Sequence, residues 1–271
     1  MKTPILTAIA GALCCCAAGV TPLFAQTGSS EAAPAVKPAP RAADGHPDLS
    51  GVWWRGADVG GRPAGGRSGP PARPATPPVF FANLYTPEAQ AHAKTLADKD
   101  DPTLHCTSTA FGTLNVSLFD VGAVGQIVQT PKFMIMLSET FNGFQIIPFD
   151  GRPHRDAVPP SNRGDAVGRW DGDTFVVDKN NFTDTSWISA EGRVSYHSDA
   201  LHIVERYRRV DANTLVIEAT LEDPKVLTKP WVVPKQTLQL APFDQIMELP
   251  CTPSDVEPQK DAAAPPTVGK K

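Results

Sequence analysis

The stretch Ser198–Glu222, SDALHIVERYRRVDANTLVIEATLE, decides the reading of this chain. Ala200 to Val210 is rich in Ile, Val and Tyr, and Thr214 to Leu221 in Val, Ile, Leu and Thr, which is strand composition. Asp211-Ala212-Asn213 between them are turn formers. If those three residues are the loop, Arg206 faces Glu218 and His202 faces Glu222, two polar pairs on one face. The other face carries Leu201, Ile203, Glu205, Tyr207, Leu215, Ile217, Ala219 and Leu221. Glu205 is the exception on that face and lies opposite the small Ala219. A carboxylate among apolar side chains is costly unless it is paired or protonated. Glu205 is therefore either an acid/base group or a ligand anchor in a cavity, or a structural partner of Arg209 or of an inward tyrosine.

Working outward, the same signals recur. Val52 begins a first strand. Gln126 to Gln129, Phe133 to Glu139, Phe144 to Phe149, Val167 to Trp170, Thr174 to Asp178, Trp231 to Leu240 and Gln245 to Leu249 read as further strands. Asp171-Gly172 marks a tight hairpin. Thr86-Pro87-Glu88 opens the one helix, expected to reach about Asp98 (Thr caps, Pro fits the first turn, Glu suits the positive end). Nine or ten strands in sequence, joined by short turns, predict an all-β antiparallel up-and-down barrel of lipocalin-like type with one short helix. A Gly-X-Trp on the first strand, Gly51 to Trp53, is how lipocalin-like barrels begin.

The ends read differently. Met1-Lys2, an apolar run from Ile5 to Val20 and small residues ending at Ala25 read as a signal peptide, 1–25. Residues 26–42 read as a disordered spacer, 43–251 as a single barrel domain containing a Gly/Pro-rich loop at 56–78, and 252–271 as a disordered tail. Cys14, Cys15 and Cys16 raise a lipidated-cysteine alternative, though Leu13 stands where a small residue is expected. No later segment approaches the roughly 20 apolar residues needed to span a bilayer, so no membrane span is expected. Net charge is −4 without a basic run, which argues against nucleic acid as a partner. After cleavage Cys106 and Cys251 remain, and two cysteines in an exported chain predict one disulfide.

The stretches ADGHPDLSGVW (43–53), LYTPEAQA (84–91), DDPTLHC (100–106), IVQTP (127–131), DGRPH (150–154), VGRWDGDTFVVD (167–178), HSDALHIVERYRRVDANTL (197–215) and EDPKVLTKPW (222–231) together resemble a largely uncharacterised family of exported bacterial proteins. They cover most of the mature chain. The resemblance implies export and a shared fold but little about activity. Members commonly carry a His before the Val-Gly-Arg-Trp motif, where this chain has Asp165.

Phosphate-binding Gly loops, nucleophile elbows, His-Glu-X-X-His and Cys-X-X-Cys are absent from the sequence, so no cofactor is implied. The candidate catalytic set is Glu205 as base with His154 or His197 as acid, the two histidines lying in loops that can meet at one barrel mouth. Tyr207, Trp170, Trp231 and Asp165 are candidate ligand-binding residues. No metal site is expected; if there were one, His197, Asp199 and His202 would form it. Three functions fit: a cofactor-independent lyase or isomerase acting on a small aromatic or terpenoid compound, a non-catalytic lipocalin-like periplasmic binding protein for a small hydrophobic or aromatic molecule, or a structural envelope protein with a filled barrel.

Overall fold

The computed structural model describes residues 36–55, 79–111, 124–141, 143–189, 193–248 and 251. The expected signal peptide, the first part of the expected spacer, the 56–78 loop and the 252–271 tail lie outside them. The described part of the spacer is not loose. Lys37 accepts a hydrogen bond from the Ala212 N–H (2.9 Å) and Pro40 from the Asp48 N–H (2.9 Å). Arg41 forms a two-pronged pair with Asp173 at 2.6 and 2.8 Å. The folded domain thus begins by Val36 rather than Ala43.

Ten strands form one antiparallel sheet: β1 Gly51–Trp54, β2 Val124–Gln129, β3 Phe133–Ser138, β4 Gly143–Pro148, β5 Asp165–Asp171, β6 Thr174–Asn180, β7 His202–Arg209, β8 Thr214–Glu222, β9 Trp231–Val232 and β10 Gln236–Leu240. Their order is β4-β3-β2-β1-β10-β8-β7-β6-β5, with β9 also on β8. β9 and β10 lie along the same edge of β8, at Thr220 and Leu221 and then at Thr214 to Ile217. They are the single strand expected over Trp231–Leu240, interrupted at Pro234, which has no N–H to donate. Nine staves therefore make a nearly closed barrel, as the alternation predicts. The strand expected over Gln245–Leu249 does not form. Gln245–Glu248 is irregular, and its Met247 N–H bonds to the Glu139 carboxylate (2.7 Å), while Leu249 lies outside the described residues.

The central hairpin has the register read from the sequence. His202 faces Glu222, Glu205 faces Ala219 and Arg206 faces Glu218. The β5–β6 hairpin turns at Gly172-Asp173, with Gly172 at φ +58°, a left-handed conformation that suits glycine. The ends of the chain close the barrel: β10 pairs with β1 through Trp53–Leu240 and Trp54–Gln239. The break falls instead between the consecutive strands β4 and β5.

Inward side chains fill the barrel. Trp53, Ile127, Met134, Met136, Ile147, Phe175, Tyr207 and Leu215 form one fully buried cluster. A second cluster packs the helix α1, Pro87–Ala93, over the barrel end marked by Ile203, Leu221 and Trp231. Thr86 caps α1 through the Ala89 N–H as expected. The helix stops at Ala93 rather than Asp98, and short 3-10 turns at Asp98–Asp100 and Pro102–His105 follow. The second turn delivers Cys106 to Cys251, and the two form the expected disulfide, 145 residues apart in sequence. Closing so long a loop contributes up to about 4–5 kcal/mol by restricting the unfolded chain. Among the described residues no helix is long and apolar enough to cross a membrane.

Candidate functional site

Glu205 points into the barrel and is 1% exposed. Its carboxylate accepts hydrogen bonds from Lys179 Nζ (2.9 Å) and from the Tyr207 hydroxyl (2.8 Å). Lys179 is equally buried, and burial pushes its ammonium below the ordinary lysine range against the pull of Glu205. A charge held from two sides in a dry interior is a structural pair. Of the two partners offered by β7, the inward tyrosine is one, joined by Lys179 from β6, and Arg209 is not. Tyr207 contributes, but Arg209 turns to the carbonyls of Asp48 (2.6 Å), Ser50 (3.3 Å) and Ala212 and lies over the Trp53 ring, 5.0 Å from its centre. Lys179 escaped the sequence reading because the strand was ended at Asp178. One more residue of alternation, Phe175, Val177, Lys179, puts it on the inner face.

The two candidate histidines do not join Glu205. His154 lies outside the barrel, where Nδ1 is 3.1 Å from Asp165 and Nε2 is 3.0 Å from Asp178. Asp178 also bonds His202 Nε2 (2.9 Å), and His202 Nδ1 is 3.6 Å from Glu222. These groups form one polar chain across the outer face of β5 to β8. Burial acts to raise the Asp178 carboxyl, but hydrogen bonds from His202 and His154 outweigh it and hold it below the usual range. His197 is buried instead beside Phe182. Its Nδ1 donates to the Ser198 carbonyl (2.9 Å) and its Nε2 accepts from the Ser186 hydroxyl (3.0 Å). Burial pushes its imidazole down, so it is neutral at neutral pH. The two histidines do not meet at one barrel mouth.

Nor do the metal candidates converge. Asp199 pairs with Lys225 (2.5 Å) while His197 and His202 keep the partners above. Among the described residues no group of three His, Cys, Asp or Glu side chains is placed to hold a metal ion. The aromatic candidates are likewise dispersed. Tyr207 sits in the barrel core and Trp231 in the second cluster, where its indole N–H donates to Val79 (2.7 Å). Trp170 stacks flat on His46, ring centres 4.5 Å apart.

Of the candidates, Asp165 lines a groove. A groove of ≈ 620 Å³ runs along the break between β4 and β5. Its apolar wall is Phe133, Phe144, Ile146 and Pro148, of which Phe144 is 64% and Ile146 53% exposed. Facing them is the 149–164 connection, with Arg152, Arg155 and Arg163, and then Asp165. β4 alternates Gly143, Gln145 and Ile147 inward with Phe144 and Ile146 outward. The seam is held by side chains rather than a strand ladder: Gln145 Nε2 donates to the Arg163 carbonyl at 3.0 Å. Gly168 leaves room for Phe175, and a Cβ there would lie 3.1 Å from Ile147.

Burial acts to raise the Asp165 carboxyl, but the Arg155 N–H (3.0 Å) and guanidinium (2.6 Å) and His154 together hold it low. Arg152 is paired with Asp150 at 2.5 and 2.8 Å, an exposed pair that holds the Asp150 carboxyl at about 2. Sequence reasoning missed Arg163 and Phe144. The alternation in Gly143–Pro148 carries a signal for the second, because an outward Phe and Ile on one strand have no core to enter.

The fold and site thus define a nearly closed nine-stave antiparallel barrel, disulfide-bonded, with a filled interior and a groove at its seam. Comparison with protein-family models, with curated proteins and with solved structures returned no significant match.

Proposed function

We propose that this is an exported small-molecule-binding protein whose ligand lies in the seam groove, not in the barrel interior. The observation that carries the reading is the exposed apolar wall of Phe144 and Ile146 facing arginines across a cleft of ≈ 620 Å³. Ligand pockets fall between about 300 and 1,000 Å³ and combine apolar walls with a few polar groups. Aromatic and terpenoid molecules match the wall in polarity. The disulfide supports an oxidising compartment, and with the signal-like N-terminus and the likeness to an exported bacterial family it favours the periplasm or the exterior. The cofactor-independent lyase or isomerase reading has less support. Its proposed base, Glu205, is locked by Lys179 and Tyr207, and its proposed acids point elsewhere.

The test is calorimetric titration of the full chain with cinnamyl alcohol and with geraniol, repeated on Phe144→Ser and Ile146→Ser. Both side chains are exposed, so the variants keep the wild-type melting temperature. Binding that weakens about tenfold or more in them supports the groove, at about 0.8 kcal/mol per buried CH₂ lost. Binding that is unchanged in both variants, or absent from the wild type, overturns it.

A further inference from the structure

The seam leaves main-chain groups, as well as side chains, without a neighbour. The Phe149 N–H donates to the Lys132 carbonyl (3.1 Å) and the Thr130 N–H to the Phe133 carbonyl (2.9 Å). With Phe133 opposite Pro148 on β4 and Met134 opposite Gln129 on β2, these bonds set the phase of both ladders. Phe133, Ile135 and Leu137 turn their N–H and C=O groups to β2. β3 therefore bonds β4 through Met134, Met136 and Ser138, opposite Ile147, Gln145 and Gly143. The main chain of Phe144, Ile146 and Pro148 points the other way, into the seam. Pro148 fits that phase, since it has no N–H to give to a ladder. β4 ends the strand order, and among the described residues the N–H and C=O groups of Phe144 and Ile146 have no hydrogen-bond partner. The same two residues carry the exposed apolar wall of the groove.

Resting on the groove as the ligand site, we infer that it takes a short, extended, uncharged peptide with apolar side chains, which adds to β4 as a further strand. The bare edge presents an N–H and a C=O at Phe144 and again at Ile146, roughly 7 Å further along. An extended peptide presents the same groups at the same spacing, so donor meets acceptor at each place and the partial charges are complementary. In that pairing alternate side chains of the peptide lie on the same face as Phe144 and Ile146, which stand outward and apolar. A formal charge is not called for, because Arg152 is matched by Asp150 and Arg155 by Asp165. The sequence of β4, GFQIIP, also lacks the usual guards of a bare edge: it has no charged residue, and its proline stands at the last place. The 149–164 connection shelters the edge instead, forming the opposite wall of the groove through Arg152, Pro153 and Arg155. A cleft of that form admits one extended chain and excludes the broad edge of a second barrel. Main-chain bonds supply the pairing, and Phe144 and Ile146 supply the preference for apolar side chains.

The experiment is calorimetric titration of the full chain with the blocked tripeptide acetyl-Phe-Ala-Phe-methylamide, beside the same peptide methylated on both phenylalanine nitrogens. The methylated peptide has lost the donors that face β4 and should bind about tenfold more weakly, as loss of two hydrogen bonds predicts. On the protein side, Ile146→Pro is compared with Ile146→Ala. Both lose the side chain, but only proline removes the edge N–H, and it does so without breaking a bond to β3. The proline variant should bind the tripeptide several-fold more weakly than the alanine variant. Hydrogen exchange on the wild type gives a reading that needs no variant: the tripeptide should slow exchange of the Phe144 and Ile146 amides. Equal binding of the two peptides, or binding that leaves both amides exchanging as before, overturns the strand pairing. A chain that binds cinnamyl alcohol or geraniol but not the tripeptide overturns this inference and leaves the groove standing. A chain that binds none of the three overturns the groove and this inference together.

Discussion

The wall from β5 to β8 and the seam between β4 and β5 treat charge in opposite ways. In the wall, the inward Glu205 is answered by Lys179 and Tyr207, and the outward Asp178 by His154 and His202. Every strand there is laddered to its neighbours. At the seam no ladder joins the strands, and a side-chain amide spans the gap. A matched pair in a buried interior fixes a fold, whereas two strand edges without a ladder leave a groove between them. That contrast is what the proposed groove site rests on.

The largest effect that tests this contrast lies in the wall. Lys179→Met leaves the Glu205 carboxylate buried without its cation, which costs about 3–5 kcal/mol. The double variant Lys179→Met/Glu205→Leu should recover most of that loss, because an apolar pair of similar volume removes the stranded charge. Urea unfolding of the three proteins measures it. A single variant as stable as wild type would mean that the pair does not hold the wall.

The next effect lies where wall and seam meet. Asp165 is buried and holds Arg155 and His154, so Asp165→Asn should cost about 2 kcal/mol, in the range for hydrogen bonds to charged groups. Its pH dependence has a definite sign. The folded carboxyl is held below its unfolded value of about 3.9, so its stabilisation is complete above that pH and is lost as pH falls through the folded value. The difference in stability between wild type and Asp165→Asn should therefore shrink as pH drops below about 4. A constant difference from pH 7 to pH 2.5 would show that the loss is one of shape rather than charge.

How much of this was readable follows from the range of each interaction. The β7–β8 register was legible because one turn and a period of two fix every facing pair. The disulfide was legible because only Cys106 and Cys251 follow the Cys14–Cys16 run. Lys179 was lost by ending β6 one residue early, so the partner of Glu205 was sought on its own strand. The closure of β10 on β1 leaves no local mark, since it joins segments nearly 190 residues apart. The seam was hidden for the converse reason: adjacency in sequence argued for pairing of β4 with β5. The sign against it was the connection itself, with Gly151, Pro153, Pro159, Pro160 and Gly164 in one stretch, far from a two-residue turn. The candidate site suffered most, because histidines draw attention for their chemistry while the groove forms only where two sequence neighbours, β4 and β5, do not pair.

The smallest effect belongs to the seam itself. Gln145→Leu removes the amide that donates to the Arg163 carbonyl, and loss of one such bond costs about 1 kcal/mol. Global stability is thus the less telling measurement. The amide also fixes the backbone of Arg163, so its loss should loosen the connection and the two strand edges before it affects the barrel. Hydrogen exchange separates the two: β4 and the 149–164 segment should exchange several times faster in the variant, while β1, zipped to β10 and β2, keeps its wild-type rate. If exchange rose equally in β1 and β4, the seam would be part of one cooperative wall, and its distinction from the laddered strands would fall.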